Sequence, residues 1–232
     1  RVEIAINQGK APDFENTLDS DCRFIDCDNA TDLKSVIKDL ISSKLPDAGW
    51  DPVKDIQILT PMNKGELGNE TINEEIQELI NPPSKGAKEF KRKNQSLRPN
   101  DKVIQVVNDY ELAIFNGDIG YVAHTNTSKA KVIVNYGDRT INYDSEQALD
   151  LKLAYSITIH KSQGSEFPVV IIPCSMSHYV MLQRNLFYTG LTRAKKLAIF
   201  IGTKKALGQA IKNQASLQRL TNLKNLLKEK TT

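Results

Sequence analysis

The chain has 232 residues, 40% hydrophobic and 25% charged, which suffices for the core of one large domain or two small ones. No apolar run approaches membrane-spanning length and no secretory leader is visible, so a cytoplasmic protein without membrane contact is expected. The net charge of +3 does not by itself imply a polyanionic partner.

Charge distribution says more than the total. Residues 1–60 carry seven Lys/Arg against twelve Asp/Glu, whereas residues 193–232 carry ten Lys/Arg against one Glu. A basic end suits a polyanion, but from charge alone a solvated helical surface is the preferred reading. Cys22, Cys27 and Cys174 have no metal-ligand spacing, and three such thiols point to a reducing compartment. No metal site is expected.

In chain order, a first helix ends at Gly9, and Gly9-Lys10 lacks the frame of a phosphate loop. Residues 22–27 read as a strand. Thr31 caps the next helix, with Leu33, Val36, Ile37, Leu40 and Ile41 at helical spacing and Pro46 as its stop. Residues 55–60 form a strand, followed by the loop 61–65 with Lys64. The next helix places Ile72, Ile76, Leu79 and Ile80 on one face and ends at Asn81-Pro82-Pro83.

The grammar then changes. Residues 84–101 are polar and basic and read as a linker. Short strands follow over residues 103–107, 119–125, 131–136 and 140–143, with turns at Asn116-Gly117 and Gly137-Asp138, which suggests a small barrel. Tyr110, Phe115 and Tyr121 offer faces for base stacking, or, as preferred for Phe115 and Tyr121, fill the barrel core.

At residue 153 the strand–helix alternation resumes, which predicts an α/β fold with a parallel sheet. Residues 154–173 give an apolar strand, a polar turn with His160, Lys161, Ser162, Gln163 and Gly164, an acid at Glu166, and a second strand. Such loops at strand ends are where open α/β sheets bind ligands. Residues 182–194 form a helix carrying Thr192-Arg193, 197–201 a strand, and Thr203 caps a helix through Ile211. Leu217, Leu220, Leu223 and Leu227 mark a last amphipathic helix.

The segments T-I-H-K-S-Q-G-S-E-F and Y-T-G-L-T-R-A-K-K resemble motifs V and VI of superfamily-one DNA helicases, and within them the RecD/TraA branch, the exodeoxyribonuclease V alpha-subunit type. Asn7-Gln8-Gly9, residues 57–62 and Asn116-Gly117-Asp118-Ile119-Gly120 extend the resemblance in that family's order. It implies a RecA-like, P-loop-NTPase-type second motor domain lacking Walker A, with an inserted SH3-like β-barrel. The implied division is 1–97 for the first part of the motor domain, 98–150 for the barrel, and 151–232 for the second part with basic C-terminal helices.

By the same resemblance, Arg193 is an arginine finger, neutralising charge on a γ-phosphate. Lys64 occupies the place of a basic motif IV residue, with an ordinary turn lysine as the equal alternative. Gln163, Gly164 and Glu166 would meet the nucleotide, and Thr158, His160, Lys161 and Ser162 a single strand of DNA. ATP and Mg²⁺ are the implied cofactors, and both need the phosphate loop of a first motor domain, the N-terminal motor domain of the same protein. A helicase half moving 5′-to-3′ on single-stranded DNA follows, inactive alone, within a recombination or conjugation assembly. A non-catalytic nucleic-acid-binding module and a partner-docking module are the alternatives.

Overall fold

The computed structural model describes residues 2–10, 12, 14, 17, 20–84, 89–91, 95–126 and 131–213. The predicted last amphipathic helix, with Leu217 to Leu227, lies outside them. In order the elements are α1 (Val2–Asn7), β1 (Cys22–Asp26), α2 (Ala30–Asp39), a wide π turn (Leu40–Lys44), α3 (Leu45–Asp47), β2 (Ile56–Thr60), α4 (Asn69–Ile80), β3 (Phe90–Lys91), β4 (Ser96–Leu97), β5 (Lys102–Gln105), β6 (Ile119–Asn126), β7 (Lys131–Tyr136), β8 (Arg139–Tyr143), β9 (Leu151–Leu153), β10 (Ser156–Thr158), β11 (Phe167–Cys174), α5 (Arg184–Leu191), β12 (Ala194–Gly202) and α6 (Lys204–Lys212).

The expected parallel sheet is present, in the order β1-β12-β11-β2-β10 with every neighbouring pair parallel. Its central strands are covered on both faces, so β2 buries all five of its residues and β11 reads as an unbroken apolar run. One face packs Leu33 and Ile37 of α2, Ile41 of the π turn, and Ile72 and Ile76 of α4 against Ile58 and Ile171. The other packs Ile6, Phe187 and Leu207 against Leu59, Val170 and Phe200.

A second, antiparallel sheet has the order β8-β7-β6-β5-β9. Val103, Val132, Val134 and Tyr143 from it join the apolar cluster on the α2/α4 face, so the two sheets share one core. The strand pattern from residue 102 to 143 therefore holds, and β9 adds residues 151–153 to this sheet by pairing with β5.

Several local expectations fail for identifiable reasons. Asn29, not Thr31, caps α2, its side chain accepting from the Asp32 N–H. Pro46 does not stop the helix; the π turn before it widens the backbone enough to admit the ring, and the chain turns only at Gly49. Leu79 is exposed, because Asn73 and Gln77 take the inward positions on α4 and spend their amides on partners across the core.

The linker reading fails over residues 96–101. Arg98 is buried and pairs with Glu78 and Glu89, and Asp101 beside it is fully buried. Phe115 does not fill the antiparallel core: it is exposed, edge-on to the still more exposed Tyr110 at 6.2 Å. Tyr121 is half-buried. The buried tyrosine there is Tyr143, whose hydroxyl lies 2.8 Å from that of Tyr136 and donates to Gln105 Oε1.

Candidate nucleotide rim and single-strand groove

Parallel strands start together at one edge of a sheet and end together at the other. At the starting edge, Phe167 of β11 is in register with Ala194 of β12. Glu166 and Arg193 immediately precede them and are therefore neighbours. The Phe167 N–H donates to the Arg193 carbonyl at 2.8 Å.

The Arg193 side chain then lies back on the turn before β11. Its Nη1 donates to the Ser165 carbonyl at 3.2 Å, its Nε to the Thr189 carbonyl at 3.3 Å, and its Nη2 to Thr192 Oγ1 at 3.3 Å. Thr192 ends α5, its hydroxyl donating to the Thr189 carbonyl. The guanidinium is half-buried and its orientation is set by three acceptors.

Gln163, Gly164 and Glu166 are exposed in the same turn. Gly164 has φ +87°, yet an added Cβ would meet nothing within 4 Å. The position thus needs glycine for its left-handed backbone and not for want of space. The Glu166 carboxylate is solvent-facing and pairs with Lys195 at 3.4 Å. Arg193, Gln163, Gly164 and Glu166 form one rim, cationic at its base and with an acceptor on its lip.

At the finishing edge, Thr158 closes β10 and caps the 3-10 turn Ile159–Ser162, accepting from the Lys161 N–H. Ser162 is buried and its hydroxyl donates to the Ile159 carbonyl at 2.7 Å. Ile159 packs toward Gly190 of α5, where an added Cβ would lie 3.5 Å from the isoleucine Cδ1. Of the four residues predicted to meet DNA, Thr158 and Ser162 thus spend their hydroxyls inside the turn. His160 is exposed and Lys161 half-exposed.

Lys161 opens onto a groove of about 710 Å³ between the two sheets, lined also by Lys64, Asn69, Asn73, Lys152 and Ile157. Burial, and next the Lys152 charge, lower the Lys161 pKa. Two ammonium groups that repel each other in a groove favour an anion between them.

Along this groove β10 is the outermost strand of its sheet. Asn73 covers it: its Nδ2 donates to the Ser156 carbonyl and its Oδ1 accepts from the Ser156 N–H, both at 2.8 Å. A side-chain amide thus stands in for the missing strand.

Lys64 follows β2 and lines the groove together with Lys161. The five residues of β2 separate the two edges by about 16 Å, at ~3.3 Å per residue. Lys152 and Asn73 were missed. The alternation in Leu151-Lys152-Leu153, with the lysine facing away from two buried leucines, was the available signal for the first.

Among the described residues no three of His, Cys, Asp and Glu converge as a metal site. The three cysteines are free and buried, and no helix among the described residues is long and apolar enough to cross a membrane. The rim offers a cation, Arg193, and an exposed acceptor, Glu166.

Comparison with known proteins gives a concordant picture. Residues 72–136 match the family described as the ATP-dependent RecD-like DNA helicase SH3 domain, and residues 153–201 the UvrD-like helicase C-terminal domain. The chain is 36% identical over 151 residues to the ATP-dependent RecD2 DNA helicase of Deinococcus radiodurans, covering 65% of this chain and 20% of that protein. It is 32% identical over 177 residues to the RecBCD enzyme subunit RecD of Haemophilus influenzae, covering 71% of this chain and 25% of that protein. The chain thus spans a quarter or less of the length of these curated relatives. A solved structure describing DNA unwinding at forked duplexes by two Pif1 helicases aligns with 99% of this chain and 51% of its own, at TM-score 0.54 and 18% identity. At that identity the likeness concerns the fold alone.

Proposed function

Because the chain is a RecD/UvrD-type superfamily-one DNA helicase domain homologous to the RecBCD subunit RecD, we propose that it is the second motor lobe of an ATP-dependent helicase that moves 5′-to-3′ on single-stranded DNA. In this reading residues 1–97 and 151–232 make a RecA-like lobe without Walker A. Residues 98–150, with β9 paired to them, make the SH3-like barrel.

The nucleotide would lie between the rim and a first motor lobe that carries the phosphate loop and brings Mg²⁺ with the triphosphate. Arg193 presents its guanidinium to the γ-phosphate, the Gln163 amide donates to phosphate oxygens, and Glu166 accepts from a ribose hydroxyl once released from Lys195. The DNA strand would follow the groove, held through its phosphates by Lys161, Lys64, Lys152 and His160. Thr158 and Ser162 fix the turn that carries the first of these. Phosphate contacts of this kind position a strand without reading its sequence, as a translocating motor requires.

The observation that supports the reading is the Arg193–Ser165 contact, which brings Arg193 against the turn before β11, while Lys161 opens on the groove. Charge compensation at one edge and strand contacts at the other are what a motor coupling hydrolysis to movement needs.

In the complete polypeptide, Arg193→Ala should lower DNA-stimulated ATP hydrolysis by about 10³-fold or more, the range of other arginine fingers, with folding intact. Normal turnover by that variant would sink the assignment.

A second reading is favoured by one feature, the exposed Tyr110–Phe115 pair. There the chain is a non-catalytic nucleic-acid-binding or partner-docking module within a recombination or conjugation assembly. Binding of single-stranded DNA that weakens steeply with salt supports the groove, and partner capture that survives high salt supports docking.

A further inference from the structure

One buried charge next to the rim has no part in the reading above. Lys102 opens β5 in the antiparallel sheet, yet its side chain leaves that sheet and is 1% exposed. Its Nζ donates to the Ile56 carbonyl at 3.2 Å and stands 5.4 Å from the centroid of the Phe167 ring. Ile56 is the first residue of β2 and Phe167 the first of β11, and these strands are adjacent. Phe167 in turn holds the Arg193 carbonyl through its own N–H and follows Glu166 directly. A single ammonium from the inserted sheet thus touches the starts of two strands, one of which is bonded to the finger's backbone.

Resting on the reading of Arg193 as the nucleotide-facing cation, we propose that Lys102 is a positioning residue of that rim. It braces Phe167 from behind and so couples the antiparallel sheet to the placement of Arg193.

The chemistry of the contact makes it tunable. An ammonium has three donors, and Lys102 makes one hydrogen bond among the described residues. Burial pushes its pKa down to about 7, against the charges of Asp51 and Asp55, which raise it. Tyr121 is its cross-strand partner, and on the far side Glu166 and Arg193 flank Phe167. The charged form is drawn to the ring face and the carbonyl oxygen, and the neutral amine loses the first attraction and weakens the second. The brace therefore tightens as Lys102 takes up its proton.

The test is a pH titration of the isotopically labelled chain by NMR. The Phe167 ring and amide and the Arg193 Nε–H resonances should shift together with a midpoint near 7. In Lys102→Met those shifts should vanish, and in Phe167→Leu the Arg193 response should be lost. An Arg193 signal that does not move across neutral pH in the wild-type chain, or that moves equally in Phe167→Leu, would overturn the proposal. Neither outcome needs Lys102→Met to fold. Activity of Arg193→Ala separately tests the nucleotide reading, so the two ideas fail independently.

Discussion

Asp101 is the residue whose removal should damage the fold most per atom lost. It is fully buried. Its Oδ1 accepts from Asn81 Nδ2 at 2.7 Å and from the Tyr155 hydroxyl at 2.8 Å, and its Oδ2 from Gln77 Nε2 at 2.6 Å and the Arg98 N–H at 2.7 Å. The donors come from the end of α4, the turn into β5, and the residue before β10. The carboxylate therefore joins the two sheets at the point where the chain passes between them.

Asp101→Ala leaves all four donors without this acceptor, at ~1 kcal/mol or more each. Relief of a buried charge offsets part of that, since burial raises this carboxyl's pKa while the donors pull it down. The net loss should be about 3–4 kcal/mol. Urea unfolding followed by the fluorescence of Trp50, the single tryptophan, reads it directly. A loss below about 1 kcal/mol would show that water or repacking satisfies the donors, and the junction would not rest on this residue.

Other expectations follow from single contacts. Lys102 has a folded pKa depressed to about 7 from 10.5, so between these values the unfolded chain binds the extra proton and stability rises with pH. The span is worth at most ~5 kcal/mol, and Lys102→Met should flatten this rise in unfolding curves taken at a series of pH values. A slope unchanged in that variant would mean that other groups produce it. Asn73→Ala uncovers β10 and should cost about 1–2 kcal/mol in unfolding experiments. It should also raise self-association in sedimentation, and a variant as stable and as monomeric as the parent would remove the edge-covering role.

The parts of this fold legible from sequence are those where composition and geometry coincide. The strands β2, β11 and β12 are apolar because they are covered on both faces, and Thr203 caps α6 where its hydroxyl should. The Gln163–Glu166 stretch and Arg193 stood out through residue pattern, and parallel strand pairing brings them together. What was illegible involves polar residues with long-range partners. Gln77 and Asn73 look like the solvated side of α4 until their partners, more than twenty residues away, are in place. Arg98 and Asp101 sit in a charged stretch that reads as a solvated linker, because nothing local records that Glu78, Glu89 and Tyr155 will close around them.

Lys64 shows the same limit at the site itself. A lysine after a strand end suggests a phosphate contact, but which phosphate depends on the edge of the sheet at which the loop emerges. That edge is fixed by the direction of β2 among its neighbours and is absent from any local pattern. With strand direction known, the cations sort into two groups: Arg193 with the turn at the starting edge, and Lys64 with Lys161 at the finishing edge. The segment from β10 to β11 is short, eight residues, and touches both. It carries Lys161 near one end and Glu166 at the other, with Ile159 buried at its start and Ser162 anchored between. A displacement of Ser165 and Glu166 would therefore be passed toward Lys161 along a span held by the Ser162 hydroxyl and the Ser165 N–H, both bonded within it.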